Sequence, residues 1–284
     1  MSDSQKSIID LAKGIAPGNE AEGETPKRPG LNQISETVAP QSSQDLQNAL
    51  DDLLSKSRMK QAWIAIDLPS KDLENMKPLN IRLRPFRYED ERKLRSSTSI
   101  TESAEVLDEI INSCMQGASL REVTLADKNF ILYKLRQLSY GDEYEVEIPC
   151  EGCATKNQLV VKMSTLNVNR ATSEMQNPFP VKLPDSEVTV MVREIMAKDE
   201  AVFNNPEDLT ENLWKVVESV GDYNDRMIIQ NFMTQCTARD ISYLRNNIFT
   251  DRMGIDTSVK FRCNTCSQEQ NMTLPINESF FSAS

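Results

Sequence analysis

The sequence contains no histidine and only nine glycines among its 284 residues. Without histidine, the commonest general base is absent, and every catalytic triad that depends on an imidazole is excluded. No glycine-rich phosphate-binding loop of the GxGxxG or Walker type is present. Because these absences leave no catalytic constellation, we expect a protein that is not an enzyme. A zinc site would have to use cysteine or carboxylate ligands.

The sequence also lacks long apolar runs and an excess of positive charge. No run approaches the roughly 20 apolar residues that cross a bilayer, and the N-terminus lacks the basic-then-apolar layout of a signal peptide. We therefore expect cytosolic synthesis, where disulfides are uncommon, and no membrane partner. The 32 basic and 43 acidic residues give a net charge of −11. This balance argues against nucleic acid as a partner, because Lys and Arg contacts to phosphate supply most of the non-specific affinity.

Residues 1–58 have the composition of a flexible N-terminal arm, rich in Pro, Gly, Ser, Glu and Gln and poor in apolar residues. Two apolar stripes interrupt this arm, at residues 8–15 and 46–54, and Ser43 is predicted to cap a helix that carries the second stripe. Two interpretations stay open. The stripes form transient helices in a solvated tail, since short isolated helices are marginal in water, or they are docking peptides that fold on a partner.

From about residue 61 the pattern becomes that of a globular protein. Strands are predicted at "AWIAIDL" (62–68) and at "LNIRLRPF" (79–86), where Arg82 and Arg84 alternate with apolar residues and are assigned to a solvated face. Helical patterns follow at 88–97, 103–115 and 124–138. In the last of these, Thr124 and Asp127 form a capping box with Asp in place of the usual Glu.

A shift of the sequence by 113 residues reveals an internal repeat. It aligns Cys150 and Cys153 with Cys263 and Cys266, and it aligns the capping pair of Thr124 and Asp127 with Thr237 and Asp240. Upstream, a shift of 109 aligns Arg84 with Arg193. The predicted fold class is therefore α+β. It consists of two duplicated strand–helix–helix–helix–hairpin repeats, at residues 61–175 and 180–284, each with a zinc knuckle.

The two CxxC pairs predict one structural zinc ion per chain, bound by Cys150, Cys153, Cys263 and Cys266. Each pair lies at the tip of a strand–turn–strand unit, and the duplication would bring equivalent tips together to form a Cys₄ zinc ribbon. Two disulfides or a redox pair are the alternatives. A redox CxxC normally opens a helix, whereas strands flank both pairs here.

The same stretch supports further expectations about the zinc site. Four cysteine ligands leave no open coordination position, so the ion would join the repeats and would not catalyse a reaction. Lys156 and Arg262 are expected to offset part of the negative charge of four thiolates. Gly152 is expected to permit a tight turn between the first two cysteines.

Several motifs of the first repeat occur together in a characteristic order. They are "LRPFRYEDERKL" (83–94), "NSC" (112–114), "DKNFILYKLRQLSYGDEYEV" (127–146), and "CEGC" (150–153) followed by "VVKM". In this order they resemble the T4-type bacteriophage baseplate hub and hub-assembly proteins. The resemblance covers residues 79–166. The second repeat shows it weakly, with Arg-Glu-Ile at 193–195 in place of Arg-Pro-Phe.

The resemblance implies a structural or assembly component of a contractile phage tail, in the central hub of the baseplate. The expected partners are other tail or baseplate proteins in a homo- or hetero-oligomeric ring, contacted through residues 8–15 and 46–54. The expected location is the host cytoplasm during assembly and the virion afterwards. The alternative is a phage accessory protein with a zinc ribbon that binds nucleic acid. A basic stripe on one face of the protein would favour this alternative.

Overall fold

The computed structural model describes residues 42–56, 63–96, 100–203, 211–250, 252–274 and 278–281. The chain divides into two compact units, residues 1–60 and 61–284. The apolar stripe predicted at residues 8–15 lies outside the described residues. In the described ranges, no helix combines the length and the apolar character needed to traverse a lipid bilayer.

The first unit contains the helix predicted for the second apolar stripe. Helix α1 spans Ser43–Lys56. Its cap is Ser42 and not the predicted Ser43, because the Ser42 Oγ accepts the backbone N–H of Asp45 at 3.1 Å. Within this unit, the leucines that form the stripe face solvent, with exposed fractions of 58%, 48% and 65% for Leu46, Leu50 and Leu53.

The second unit mixes helices with small antiparallel sheets, which confirms the α+β class. Its helices are α2 (Tyr88–Ser96), α3 (Ile100–Ser113), α4 (Leu125–Tyr140), α5 (Glu200–Phe203), α6 (Arg226–Gln235) and α7 (Ala238–Ile248). Its strands are β1 (Ile64–Ile66), β2 (Ile81–Leu83), β3 (Met115–Gln116), β4 (Glu143–Pro149), β5 (Lys156–Lys162), β6 (Val168–Asn169), β7 (Phe179–Lys182), β8 (Thr189–Val192), β9 (Val217–Val220), β10 (Gly254–Ile255), β11 (Ser258–Arg262) and β12 (Glu269–Thr273).

The strands form two three-stranded sheets and three two-stranded ones. The three-stranded sheets have the orders β1-β2-β3 and β7-β8-β9, and the hairpins β4-β5 and β11-β12 carry the cysteine pairs. Strands β6 and β10 pair through Asn169 with Gly254 and Val168 with Ile255. Strand β4 alternates buried and exposed residues, as expected for a strand with one face on the core.

The predicted capping box at the start of α4 is confirmed. Thr124 Oγ1 accepts the N–H of Asp127 at 3.1 Å, and the Asp127 carboxylate accepts the N–H of Thr124 at 3.2 Å. This carboxylate is fully buried, and it also accepts the backbone N–H of Ser70 at 3.0 Å. At the start of α7, Thr237 accepts from Asp240 N–H, and the Asp240 carboxylate accepts the N–H of Asp185 at 2.8 Å. Each aspartate thus ties its helix to a loop far away in the chain.

Arg84 is buried, which corrects its assignment to a solvated strand face. Only 4% of Arg84 is exposed, and its Nη1 lies 2.7 Å from Asp90 Oδ2. Arg82 keeps the exposed position that was predicted. In the second half, Arg193 Nη1 lies 2.6 Å from Asp199 Oδ2. In both halves the arginine also donates to the carbonyl of the residue that follows it.

Helix α4 connects the two halves of the second unit. The backbone at the start of α4 forms two hydrogen bonds with the second half. Leu125 N–H, in the first residue of the helix, donates to Ile195 O at 2.8 Å, and Val123 O, two residues earlier, accepts from Ala197 N–H at 3.0 Å. The buried Lys128 Nζ then pairs with Glu200 and with Asp108. Residues of both halves therefore share one core around α4.

The two halves differ in the position of one helix. In the first half, the long helix α3 lies before the third strand of the sheet. Among the described residues of the second half, α6 lies after the third strand and directly before the capped helix α7. The sequence predicted the same order of two helices before the capped helix in each half. In the structure, the helix nearest the capped helix lies before the third strand in the first half and after it in the second.

We expect Asp90→Ala to destabilise the folded protein by about 3–5 kcal/mol, because it leaves the buried Arg84 without its counter-charge. The measurement is urea unfolding of the zinc-loaded protein. Asp67→Ala is the matched control: its pair with Lys71 is exposed and should matter little. An equal loss of stability in both variants would contradict the assigned role of Arg84.

The stabilisation by Asp90 should also depend on pH. Burial opposes its charge, but hydrogen bonds from Arg84 and from the backbone N–H of Arg87 outweigh burial and lower the pKa of Asp90 below its ordinary value. The stabilisation is therefore complete above the unfolded pKa of about 3.9 and is lost as the pH falls through the folded pKa. The difference in unfolding free energy between wild type and Asp90→Ala should shrink over that range. A difference that grows on acidification would refute this account.

Candidate metal centre

The four cysteines predicted as ligands meet at the tips of two hairpins. Cys150 follows β4 directly and Cys263 follows β11 directly, and each hairpin is paired in register up to the residue before its cysteine. The four Sγ atoms all lie within 4.8 Å of one another. Hairpins that are more than a hundred residues apart in the chain thus bring their sulfur atoms to one point.

The two tips have the same backbone geometry. Cys150 O accepts the N–H of Ala154 at 2.8 Å, and Cys263 O accepts the N–H of Ser267 at 3.0 Å. Ala154 and Ser267 have positive φ values of 56° and 61°. This left-handed conformation is uncommon for residues with a Cβ, and here it turns the chain back into the second strand of each hairpin.

Gly152 serves a different purpose from the predicted tight turn. It is not among the residues with positive φ. A Cβ added at this position would lie 1.9 Å from Oε1 of Gln268, in the opposite tip. The glycine therefore leaves room for the end of the Gln268 side chain, which a larger residue would displace.

The distances between sulfur atoms fit a tetrahedral ion. Four sulfurs about 2.3 Å from a zinc ion lie about 3.8 Å from one another. Across the two tips, Cys150 Sγ lies 3.5 Å from Cys266 Sγ, and Cys153 Sγ lies 3.6 Å from Cys263 Sγ. These separations are much longer than a disulfide bond of about 2.05 Å, and all six cysteines of the chain are free thiols. The donor set, four sulfurs without an oxygen, suits zinc or another thiophilic ion.

Several N–H groups point at the sulfur atoms. Gln270 Nε2 lies 3.1 Å from Cys150 Sγ, and the backbone N–H of Thr265 donates to Cys263 Sγ at 3.4 Å. Asn157 Nδ2 lies 3.7 Å from Cys263 Sγ. These donors would stabilise thiolates bound to a cation, in the way that outer-shell hydrogen bonds tune metal ligands.

Asn157 also links the two hairpins. It lies on β5, only 1% of it is exposed, and its Oδ1 accepts the backbone N–H of Asn264 at 3.0 Å. Sequence analysis did not single out Asn157 or Gln270, because neither belongs to a motif. One signal could have identified Asn157: it is a polar residue at a position where the alternation of β5, the strand that follows the first CxxC, predicts an inward-facing side chain.

The basic residues expected to offset the thiolate charge are engaged elsewhere. Lys156 forms an exposed ion pair with Glu147 at 2.6 Å. Arg262 Nε donates to Ser267 O at 3.0 Å and so supports the turn of its own tip. Neutral N–H groups, and not these two side chains, make the contacts to sulfur.

The thiol pKa values reflect the crowding of four sulfurs. Backbone N–H groups of Cys266 and Thr265 lower the pKa of Cys263 to about 6. For Cys266, the N–H of Gln268 favours the thiolate, but the neighbouring thiols outweigh it and raise the pKa to about 12. One sulfur therefore ionises readily while another resists. A divalent cation removes this conflict, because it binds all four as thiolates and releases their protons.

The two remaining cysteines behave as small apolar residues. Cys114 is fully buried, and burial raises the pKa of its thiol to about 11. Burial likewise raises the pKa of Cys236 to about 11. Neither belongs to the sulfur cluster.

Comparison with known proteins gave one match. A family model described as "T4 bacteriophage base plate protein" matches residues 41–282. No curated protein and no solved structure matches the chain significantly. The match extends over both hairpins and over α1, and so it reaches well beyond the stretch at 79–166 that carried the resemblance.

We expect the purified protein to contain one zinc ion per chain, measured by elemental mass spectrometry on protein prepared without chelator. Changing all four cluster cysteines to Ser should remove the metal and lower the melting temperature, since an ion that binds only the folded state stabilises it. Cys236→Ser is the matched control and should retain one zinc. Zinc near zero in the wild type, or a quadruple variant as stable as the wild type, would contradict the assignment.

We expect Asn157→Ala to weaken zinc binding about 10- to 100-fold, the usual effect of removing an outer-shell partner. The measurement is competition with a chromophoric chelator at neutral pH. Gln158→Ala changes the next residue of the same strand, which is exposed and bonds only to Glu147, and should leave the affinity unchanged. An equal effect of both substitutions would mean that Asn157 does not act on the metal.

Proposed function

Because the chain belongs to the T4 bacteriophage base plate protein family, we propose that it is a structural or assembly component of the central hub of the baseplate. The match of the family model to residues 41–282 carries this proposal. Baseplate proteins work by contact with other tail proteins, and the chain would likewise bind tail or baseplate partners within a ring. It would act in the host cytoplasm during assembly and then in the virion, without catalysing a reaction.

The zinc ion is proposed to join two duplicated halves, at residues 61–175 and 180–284. Support comes from the paired features of the halves: two sheets of the same order, two arginine–aspartate pairs of which the first is buried and the second half-buried, two capped helices, and two cysteine tips with the same backbone geometry. A clamp of four cysteines leaves no coordination position for a substrate. The ion would thus stabilise a scaffold.

The arm at residues 1–58 is proposed to connect the protein to its partners, through the stripes at 8–15 and 46–54. Within the first unit, α1 exposes roughly half or more of Leu46, Leu50 and Leu53. An isolated helix of 14 residues is marginal in water. A groove on a partner would bury these leucines and so recover the cost of ordering the helix.

We expect a phage that encodes Leu46→Ser, Leu50→Ser and Leu53→Ser together to lose assembly of complete tails, as removal of residues 1–58 should. Electron microscopy of lysates and co-purification with hub proteins are the measurements. The control carries Gln47→Ser and Asn48→Ser, which lie outside the leucine stripe of the same helix, and should assemble normally.

Two results would contradict this function. Normal tails from the triple-leucine phage would show that α1 is not the connector. Tight binding of the full-length protein to DNA at physiological salt, with a steep salt dependence, would instead favour the nucleic-acid alternative.

A further inference from the structure

A groove of about 350 Å³ runs along strand β1, between that strand and helix α4. Its floor is apolar and includes Phe130 and Leu138. All three residues of β1 line it, together with Asp67. The groove lies within the second unit, and its lining includes none of the four cluster cysteines.

Strand β1 is an edge strand without the usual protection. It pairs with β2 on one side, and no described strand pairs with its other side. Edge strands that must stay free commonly carry Lys, Pro or a bulge, whereas β1 reads Ile-Ala-Ile and pairs in regular register. Ile64 is 42% exposed. The strand thus has an outer edge, next to an apolar groove, with which no strand of the described ranges pairs.

The charged groups around the groove are mainly basic. Lys134 Nζ lies 5.7 Å from the centre of the Phe130 ring, and the Arg170 guanidinium lies 6.0 Å from it. The one acidic residue in the lining, Asp67, is already paired with Lys71 at 2.8 Å. Neither Lys134 nor Arg170 forms an ion pair with a described residue. In a chain of net charge −11, this local excess of positive charge is a specific feature.

The corresponding place in the second half is built differently. Strand β7 occupies the outer position of its sheet, as β1 does. There Arg252 lies 4.0 Å from the centre of the Phe179 ring on β7 and is itself paired with Glu194. The position that the repeat aligns with Lys134 is Asn247. The open basic groove therefore belongs to the first half.

We propose that this groove binds an extended acidic segment of another tail protein, which adds to β1 as a fourth strand of the sheet. Backbone hydrogen bonds to β1 would hold the segment, its apolar side chains would cover Phe130 and Leu138, and its carboxylates would face Lys134 and Arg170. A second copy of this chain is the poorer occupant, since two β1 edges in contact would bring like charges together. The proposal adds a second contact surface to the proposed function, whose connector is the arm.

The test uses the full-length protein and a fluorescein-labelled peptide in which glutamate and isoleucine alternate over seven positions. Fluorescence anisotropy should show saturable binding to the wild type. Changing Lys134→Glu and Arg170→Glu together should weaken binding about tenfold, since two attractive contacts are lost. Lys260→Glu, an exposed substitution on β11, is the matched control and should leave the affinity unchanged.

Three further measurements test the charge preference of the groove, the need for backbone hydrogen bonds, and the independence of the groove from the arm. The same peptide with lysine in place of glutamate should not bind. The acidic peptide N-methylated at alternate positions should bind weakly, because it has lost the N–H groups of one edge. Protein lacking residues 1–58 should bind as the full chain does, and so failure of the arm hypothesis would leave this result unaffected.

Several results would overturn the proposal. They are no saturable binding to the wild type, equal affinity for the acidic and lysine peptides, unchanged affinity after the double charge reversal, or full competition by an oligothymidine strand. Circular dichroism of the charge-reversed protein, together with its zinc content, must match the wild type. If it does not, the single variants Lys134→Gln and Arg170→Gln are measured instead, and binding as tight as the wild type in both would count against the proposal.

Discussion

The second unit depends on the meeting of two hairpin tips that are 110 to 116 residues apart at their contacting sulfurs. Closing so long a loop costs conformational entropy, and a two-stranded hairpin has little stability of its own. The contacts at the tips offset these costs. Asn157 bonds to the opposite tip, Gly152 leaves room for the Gln268 side chain of that tip, and four sulfurs converge on a volume that suits one metal ion.

The rest of the unit is tied together at points far from the cysteines. Helix α4 joins the halves at its first turn, β6 pairs with β10, and Phe280 packs against Tyr133 and Tyr144 with ring centres 5.0 and 5.2 Å apart. Each sheet of the described residues has only two or three strands, so none of these sheets is large enough to organise a half by itself. Buried carboxylates take over part of this role, since Asp127 and Asp240 each fasten a helix to a distant segment.

This construction suits a baseplate protein that acts through its surfaces. The two surfaces proposed for binding have opposite local charge: α1 carries Asp45, Asp51 and Asp52, whereas the groove beside β1 is flanked by Lys134 and Arg170. Partners of opposite charge would be selected by the two surfaces. Contact between two copies of the same surface is disfavoured, because like charges would then face each other.

The sequence by itself determined the local elements and the chemistry of the metal centre. The capping box of α4, the alternation along β4 and the CxxC spacing each depend on neighbours a few residues away, and so they could be read directly. The tertiary structure alone decided that Arg84 is buried against Asp90, that Asn157 bridges the tips, and that Lys156 pairs with Glu147. Alternation along a strand tells which residues share a face, but it does not tell what covers that face. The residues that pack against a strand face come from other segments of the chain, and their position depends on the packing of the whole unit.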